Sequence, residues 1–121
     1  MKDNVIKDKS YAFALRVIKA YKFLGDEKRE FVLSKQMLRS GTAIGALVRE
    51  AEHAQSTADF ISKMNIALKE ANETEYWLML LKDSDYIDEK SFNSICQDCV
   101  EVIKLLISIV KTTKDNHERK K

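Results

Sequence analysis

The chain has no proline and only three glycines among its 121 residues. Tight connections lean on those two residue types, so a many-stranded sandwich or barrel is excluded and a few long helices are favoured. Two cysteines, Cys96 and Cys99, are too few for a disulfide framework. No apolar run approaches the roughly 18 uninterrupted residues of a membrane span, and the N-terminal MKDNVIKDKS lacks the apolar centre of a secretory signal. A cytoplasmic protein with no membrane partner is therefore expected. Also missing are a Ser/His/Asp or Cys/His set, a glycine-rich phosphate loop and a nucleotide fingerprint. The chain reads as a non-enzyme, with no catalytic residue, no metal, no cofactor and no small-molecule substrate.

What is present is periodic. From Thr57 to Leu81, the residues Phe60, Met64, Ala67, Ala71, Thr74, Leu78 and Leu81 recur at alternating steps of four and three. That spacing places them on one stripe of a long amphipathic helix. At 1.5 Å per residue the helix is roughly 37 Å long, and it needs antiparallel partners of similar length.

The remaining segments supply them. Helix 1 is expected near 8–24, with Phe13, Val17, Ala20 and Leu24 on its stripe and Gly25 as a left-handed terminator. Helix 2 is expected near 34–55, capped by Ser34 between the staple residues Leu33 and Leu38. Its stripe is Met37, Gly41, Ile44, Val48 and Ala51, and two interior glycines, Gly41 and Gly45, imply close backbone approach if the helix is unbroken. Ser56 or Thr57 caps helix 3, near 57–82, and Asp88 caps helix 4, near 88–114. Residues 1–7 and 115–121 are expected to be flexible. The fold class is all-α, an antiparallel up-down four-helix bundle forming a single domain over 1–121.

Helix 4 has more apolar surface than one seam needs. Phe92, Ile95, Cys99, Val102, Leu106 and Ile109 form one row, and Cys96, Val100, Ile103, Ile107 and Val110 a second beside it. The second row is either the flank of a very central helix or an interface for a second copy of the chain.

Charge is unevenly divided although the net is only +2. Residues 1–25 carry six Lys/Arg against two Asp/Glu, and residues 56–87 carry three against six. The first helix is basic and the third acidic.

Three constellations invite chemistry. Cys96-Gln-Asp-Cys99 is a C-x-x-C, but it lies inside a helix rather than at its N-terminus and reads as core packing. Glu50-Ala-Glu-His53 has the E-x-x-H spacing of di-iron carboxylate sites, which need a second such pair. The other histidine, His117, sits near the C-terminal end. Glu70, Glu73 and Glu75 cluster beside Trp77, and Glu70 and Glu73 are expected to pair with Lys or Arg on a neighbouring helix.

The segments LSKQMLRSGTAIGALVREA (Leu33 to Ala51) and DFISKMNIALKEANETEYWLMLL (Asp59 to Leu81) resemble a bacterial four-helix-bundle family. Its members include the intervening-sequence protein encoded within large-subunit ribosomal RNA genes and the accessory protein of diversity-generating retroelements. The matching positions are Gln36, Arg39, Ile44 and Glu50 on helix 2, then Phe60, Ile66, Ala67, Glu73, Glu75 and Leu78 on helix 3. The resemblance implies an up-down bundle assembled as a ring-like homopentamer. For the retroelement members it also implies a basic surface that binds RNA or DNA.

Three functional readings stay open. One is a non-enzymatic homo-oligomer acting as a nucleic-acid-associated accessory module, with Arg16, Lys19, Lys22, Lys35 and Arg39 neutralising phosphates. Cys96, Val100, Ile103, Ile107 and Val110 would then face another copy. The second is a scaffold that binds another protein and no nucleic acid, and the third is a di-iron enzyme.

Overall fold

The computed structural model describes residues 4–120. Four helices follow one another: α1 (Val5–Asp26), α2 (Leu33–Ala51), α3 (Thr57–Asp83) and α4 (Glu89–Arg119). Each packs on the next in sequence, and α4 returns to α1 to close the square along the thinnest of the four seams. Cross-links fix the directions. Lys9 meets Glu101 and Arg16 meets Asp98, while Arg39 meets Glu73 and Glu50 meets Lys63, so these neighbours run antiparallel. The expected up-down bundle is the observed one.

The stripes read from the sequence form its core. Met64, Ala67, Ala71, Thr74, Leu78 and Leu81 of α3 are buried, as are Met37, Gly41, Ile44, Val48 and Ala51 of α2. Against them lie Phe13, Val17 and Leu24 of α1 and Ile95, Cys99, Val102 and Leu106 of α4. One buried polar link crosses this apolar interior. Thr74 gives its hydroxyl hydrogen to the Glu70 carbonyl (2.8 Å), leaving Ser40 to donate to Thr74 Oγ1 (2.8 Å).

The two helical glycines behave differently. A Cβ on Gly41 would stand 2.8 Å from both γ-carbons of Val17, so here glycine lets α1 and α2 approach closely. A Cβ on Gly45 would meet Ser10 at 3.5 Å, an ordinary contact. Close approach explains the first glycine and not the second.

Helix ends depart most from the sequence reading. Helix α1 begins at Val5, inside the segment expected to be flexible, because Asn4 caps it: its side chain accepts from the Lys7 amide (3.2 Å). Asn4 also donates to Glu52 (2.8 Å), which pairs with Lys7 (3.2 Å), so the start of α1 is tied to the end of α2. Ile6 and Ser10 become buried as a result. The expectation for residues 1–3 and 121 lies outside the described residues.

Gly25 does not terminate α1; the helix runs through it to Asp26, and the left-handed residue is Arg29, at φ 53°. Nor does Ser34 cap α2. That role falls to Glu30, whose carboxylate accepts from the amides of Val32 (3.0 Å), Leu33 (2.9 Å) and Ser34 (2.7 Å). Burial pushes the Glu30 carboxyl up, but the amides of Leu33, Ser34 and Val32 outweigh it and hold the group below its ordinary range. Ser34 is itself buried and donates to the Glu30 carbonyl (2.8 Å).

Helix α2 ends at Ala51 rather than near 55, and Ser56 caps α3 by accepting from Asp59 N (3.0 Å). At the far end of α3, Asp85 takes the left-handed position (φ 70°), and the Tyr86 amide reaches back to the Leu81 carbonyl (2.8 Å), closing a Schellman-type turn. Asp88 then caps α4 through the Ser91 amide (2.7 Å), as expected. Helix α4 continues to Arg119, well past the expected end near 114. Its last buried residue is Val110, so the extra turns rest on local bonding such as the Lys111–Asp115 pair (3.8 Å).

Candidate interaction surfaces

The five basic residues picked from the sequence separate into two groups. Arg16 is a fastener: Nη1 donates to the Ser94 carbonyl (3.0 Å) and Asp98 Oδ2 (2.8 Å), and Nη2 donates to Ser94 Oγ (2.9 Å). It ties α1 to α4. Arg39 ties α2 to α3 through Glu73 Oε1 (2.9 Å), with Glu70 Oε1 at 3.3 Å. Thus the expected pairing of Glu70 and Glu73 with a neighbouring helix is observed, and its partner is one of the proposed phosphate contacts. Lys19, Lys22 and Lys35 are exposed, near the α1–α2 turn that also carries Lys28 and Arg29. Arg29 lies over the exposed Phe31 ring at 5.6 Å.

The second row of α4 remains largely open in the single chain. Cys96, Val100 and Ile103 are half-buried and Ile107 is 48% exposed. Val110 corrects the expectation: it is buried in the chain's own core and is not available to a partner. Tyr11 and Leu15, one turn apart on α1, are 55% and 51% exposed, and Val32 in the α1–α2 turn is 72% exposed.

The chemical constellations lose their functional readings. Cys99 is fully buried, its thiol donating to the Ala71 carbonyl (3.5 Å), and burial pushes its pKa up to about 12. Burial raises Cys96 as well. Both are free thiols of the kind that pack rather than react. The E-x-x-H spacing does not bring both side chains into the core, and His53 is the surface residue expected of it. His53 falls in the turn beyond α2 and is exposed, while Glu50 points outward to Lys63 (3.5 Å). Among the described residues no group of three His, Cys, Asp or Glu is placed to hold a metal ion. Glu75 is half-buried beside Cys96. Trp77 meets Tyr76 edge-on (5.2 Å between centroids), and its indole Nε1 is buried without a hydrogen-bond partner.

A feature the sequence did not disclose is a cleft of about 520 Å³ where the α1–α4 seam opens beyond Arg16. Leu24, Met37, Leu78 and Leu81 back it from within the core, and Lys19 and Lys28 stand at its mouth. Only the packing of all four helices brings these residues together.

A family model described as the 23S rRNA-intervening sequence protein matches residues 2–108. The chain belongs to this family. A solved relative agrees: the 1.70 Å crystal structure of a protein of unknown function from the S23 ribosomal protein family of Bacteroides thetaiotaomicron VPI-5482 is 63% identical. It superposes with a TM-score of 0.87, over 88% of this chain and 98% of that one. Among proteins of curated function none matches. In this intervening-sequence family member, the positions that suggested the resemblance are chiefly structural. Ile44, Ala67 and Leu78 are core, Phe60 packs against it, and Arg39 and Glu73 pair. Glu50 pairs with Lys63, and Gln36 is exposed.

No helix among the described residues is long and apolar enough to cross a membrane.

Proposed function

We propose that the chain is a non-enzymatic homo-oligomer that serves as a nucleic-acid-associated accessory module. The α4 row carries the assembly: Cys96, Val100, Ile103 and Ile107 form an apolar strip that the chain's own fold covers only in part. A ring needs a heterologous contact, in which that strip meets a different face of the next copy. Tyr11 and Leu15 on α1 offer such a face, and five copies are what the family resemblance implies.

Nucleic acid would meet Lys19, Lys22 and Lys35, repeated around the assembly. Arg16 and Arg39 are engaged at the bundle surface by Asp98 and Glu73 and drop out of the contact set. Phosphate neutralisation of this kind is sequence-independent, and each contact adds a salt slope of about −0.7 to −0.9. The test is binding of a structured RNA at about 50 and about 200 mM salt. Replacing Lys19, Lys22 and Lys35 by Gln together should abolish the salt-dependent part, whereas Arg39→Ala should leave it. Absence of binding at the lower salt rejects the nucleic-acid role.

The internal pairing of both arginines favours a second reading, a scaffold whose oligomer binds another protein. Enrichment of one protein and no nucleic acid in a pull-down selects it.

A further inference from the structure

The α1–α4 seam is clamped over only part of its length. Lys9–Glu101 (3.0 Å) and the Arg16 bonds to Ser94 and Asp98 hold the two helices together. Immediately beyond Arg16, α1 presents Ala20, whose single methyl cannot bridge to α4, and the seam opens into the 520 Å³ cleft. Leu24, Met37, Leu78 and Leu81 behind it are each at most 1% exposed and closed to a ligand, so the apolar wall within reach is Ala20, Phe23, Tyr86 and Ile87, with Phe23 44% exposed. The volume of the cleft falls within the roughly 300–1,000 Å³ typical of small-molecule sites, which pair an apolar lining with a few placed polar groups.

The mouth is polar and biased in charge. Arg16, Lys19 and Lys28 line it, against Asp85 and Asp88. Asp88 is engaged as the α4 cap through the Ser91 amide. Arg16 is engaged by Asp98. Lys19, Lys28 and Asp85 are in no ion pair among the described residues, which leaves two cations against one carboxylate at the mouth. The lysines' aliphatic stems can lie along the apolar wall while their ammonium groups meet a head group at the water boundary.

We propose that this cleft binds a small amphiphile with an unbranched apolar tail and a single carboxylate, the tail along Ala20, Phe23, Tyr86 and Ile87 and the head group between Lys19 and Lys28. This is a binding site without catalysis; it shares Lys19 with the proposed nucleic-acid surface, whereas Lys28 belongs to the cleft alone.

The test is titration of the intact protein with decanoate below its micellar concentration, followed by backbone amide NMR. Decyltrimethylammonium, with the same tail and the opposite head charge, is the comparison. Saturable binding with shifts centred on Ala20, Leu81, Ile87 and Ile95 is expected, and the cationic amphiphile should bind about tenfold more weakly. Ala20→Leu should fill the opening and weaken decanoate about tenfold or more, and Lys19→Gln with Lys28→Gln should erase the preference for the anion. Shifts scattered over the α4 row, no saturation, or equal binding of the two amphiphiles would overturn the proposal. Because the amide map is read on the unaltered chain, a variant that fails to fold does not blunt the test.

Discussion

Alanine at Gly41 and alanine at Gly45 should change stability in opposite directions. Both sit inside α2, where replacing glycine by alanine gains about 1 kcal/mol by removing backbone freedom from the unfolded chain. At Gly45 nothing opposes that gain, since the new methyl meets Ser10 at an ordinary 3.5 Å. At Gly41 it would fall 2.8 Å from both γ-carbons of Val17 and 3.2 Å from its β-carbon. Val17 is fully buried on a helix, where a β-branched side chain has essentially one rotamer, so α1 and α2 must move apart. Overpacking of that kind costs about 1–3 kcal/mol, leaving Gly41→Ala destabilised by up to about 2 kcal/mol. Urea unfolding followed by circular dichroism at one fixed protein concentration measures both variants. Val17→Ala combined with Gly41→Ala should show a favourable coupling of about 1 kcal/mol, because the overlap then vanishes. Equal stabilisation by both alanines, or strict additivity with Val17→Ala, would refute the close approach of α1 and α2.

Other outcomes follow from single residues. Leu78→Ala, in the centre of the α3 stripe, should cost about 2–5 kcal/mol in the same unfolding assay. Glu30→Gln should cost about 0.5–2 kcal/mol near neutral pH by weakening the α2 cap. The native Glu30 carboxyl lies below its ordinary value of 4.5, so its stabilisation is complete above that value and is lost as pH falls through the native one. The gap between wild type and Glu30→Gln should therefore close as pH falls from above 4.5 through the native value. Cys99, with its thiol pushed up to about 12, should resist iodoacetamide in the folded protein and react only when urea unfolds it, as mass spectrometry of the labelled peptide would report.

The core was legible because heptad-like spacing is a property of each helix alone. Every α2 stripe residue is buried, and so is every α3 stripe residue after Phe60, which is half-buried. Termini were harder to read, since their caps depend on distant partners. Asn4 is held by Glu52, and Glu30 reaches forward to three amides of the next helix, in place of the short-range serine signal at Ser34. Left-handed positions fell on Arg29 and Asp85, where no glycine marks the turn. On the surface, charge pattern named Arg16 and Arg39 correctly as outward-facing cations but could not show that Asp98 and Glu73 consume them. Val110 was misread for a related reason: the buried seam of α4 runs Ile95, Cys99, Val102, Leu106 and Val110, stepping by four after Leu106 where a strict heptad would step by three to the half-buried Ile109. The cleft beside Ala20 was invisible because its lining comes from all four helices.

The account rests most heavily on the partly covered apolar row of α4 being a contact between copies of the chain. Light scattering coupled to size exclusion measures this directly. An integer multiple of the 14.0 kDa subunit is predicted, fivefold for the ring, with Ile107→Asp shifting the population toward the single subunit. A wild-type mass of 14.0 kDa at micromolar concentrations would contradict it.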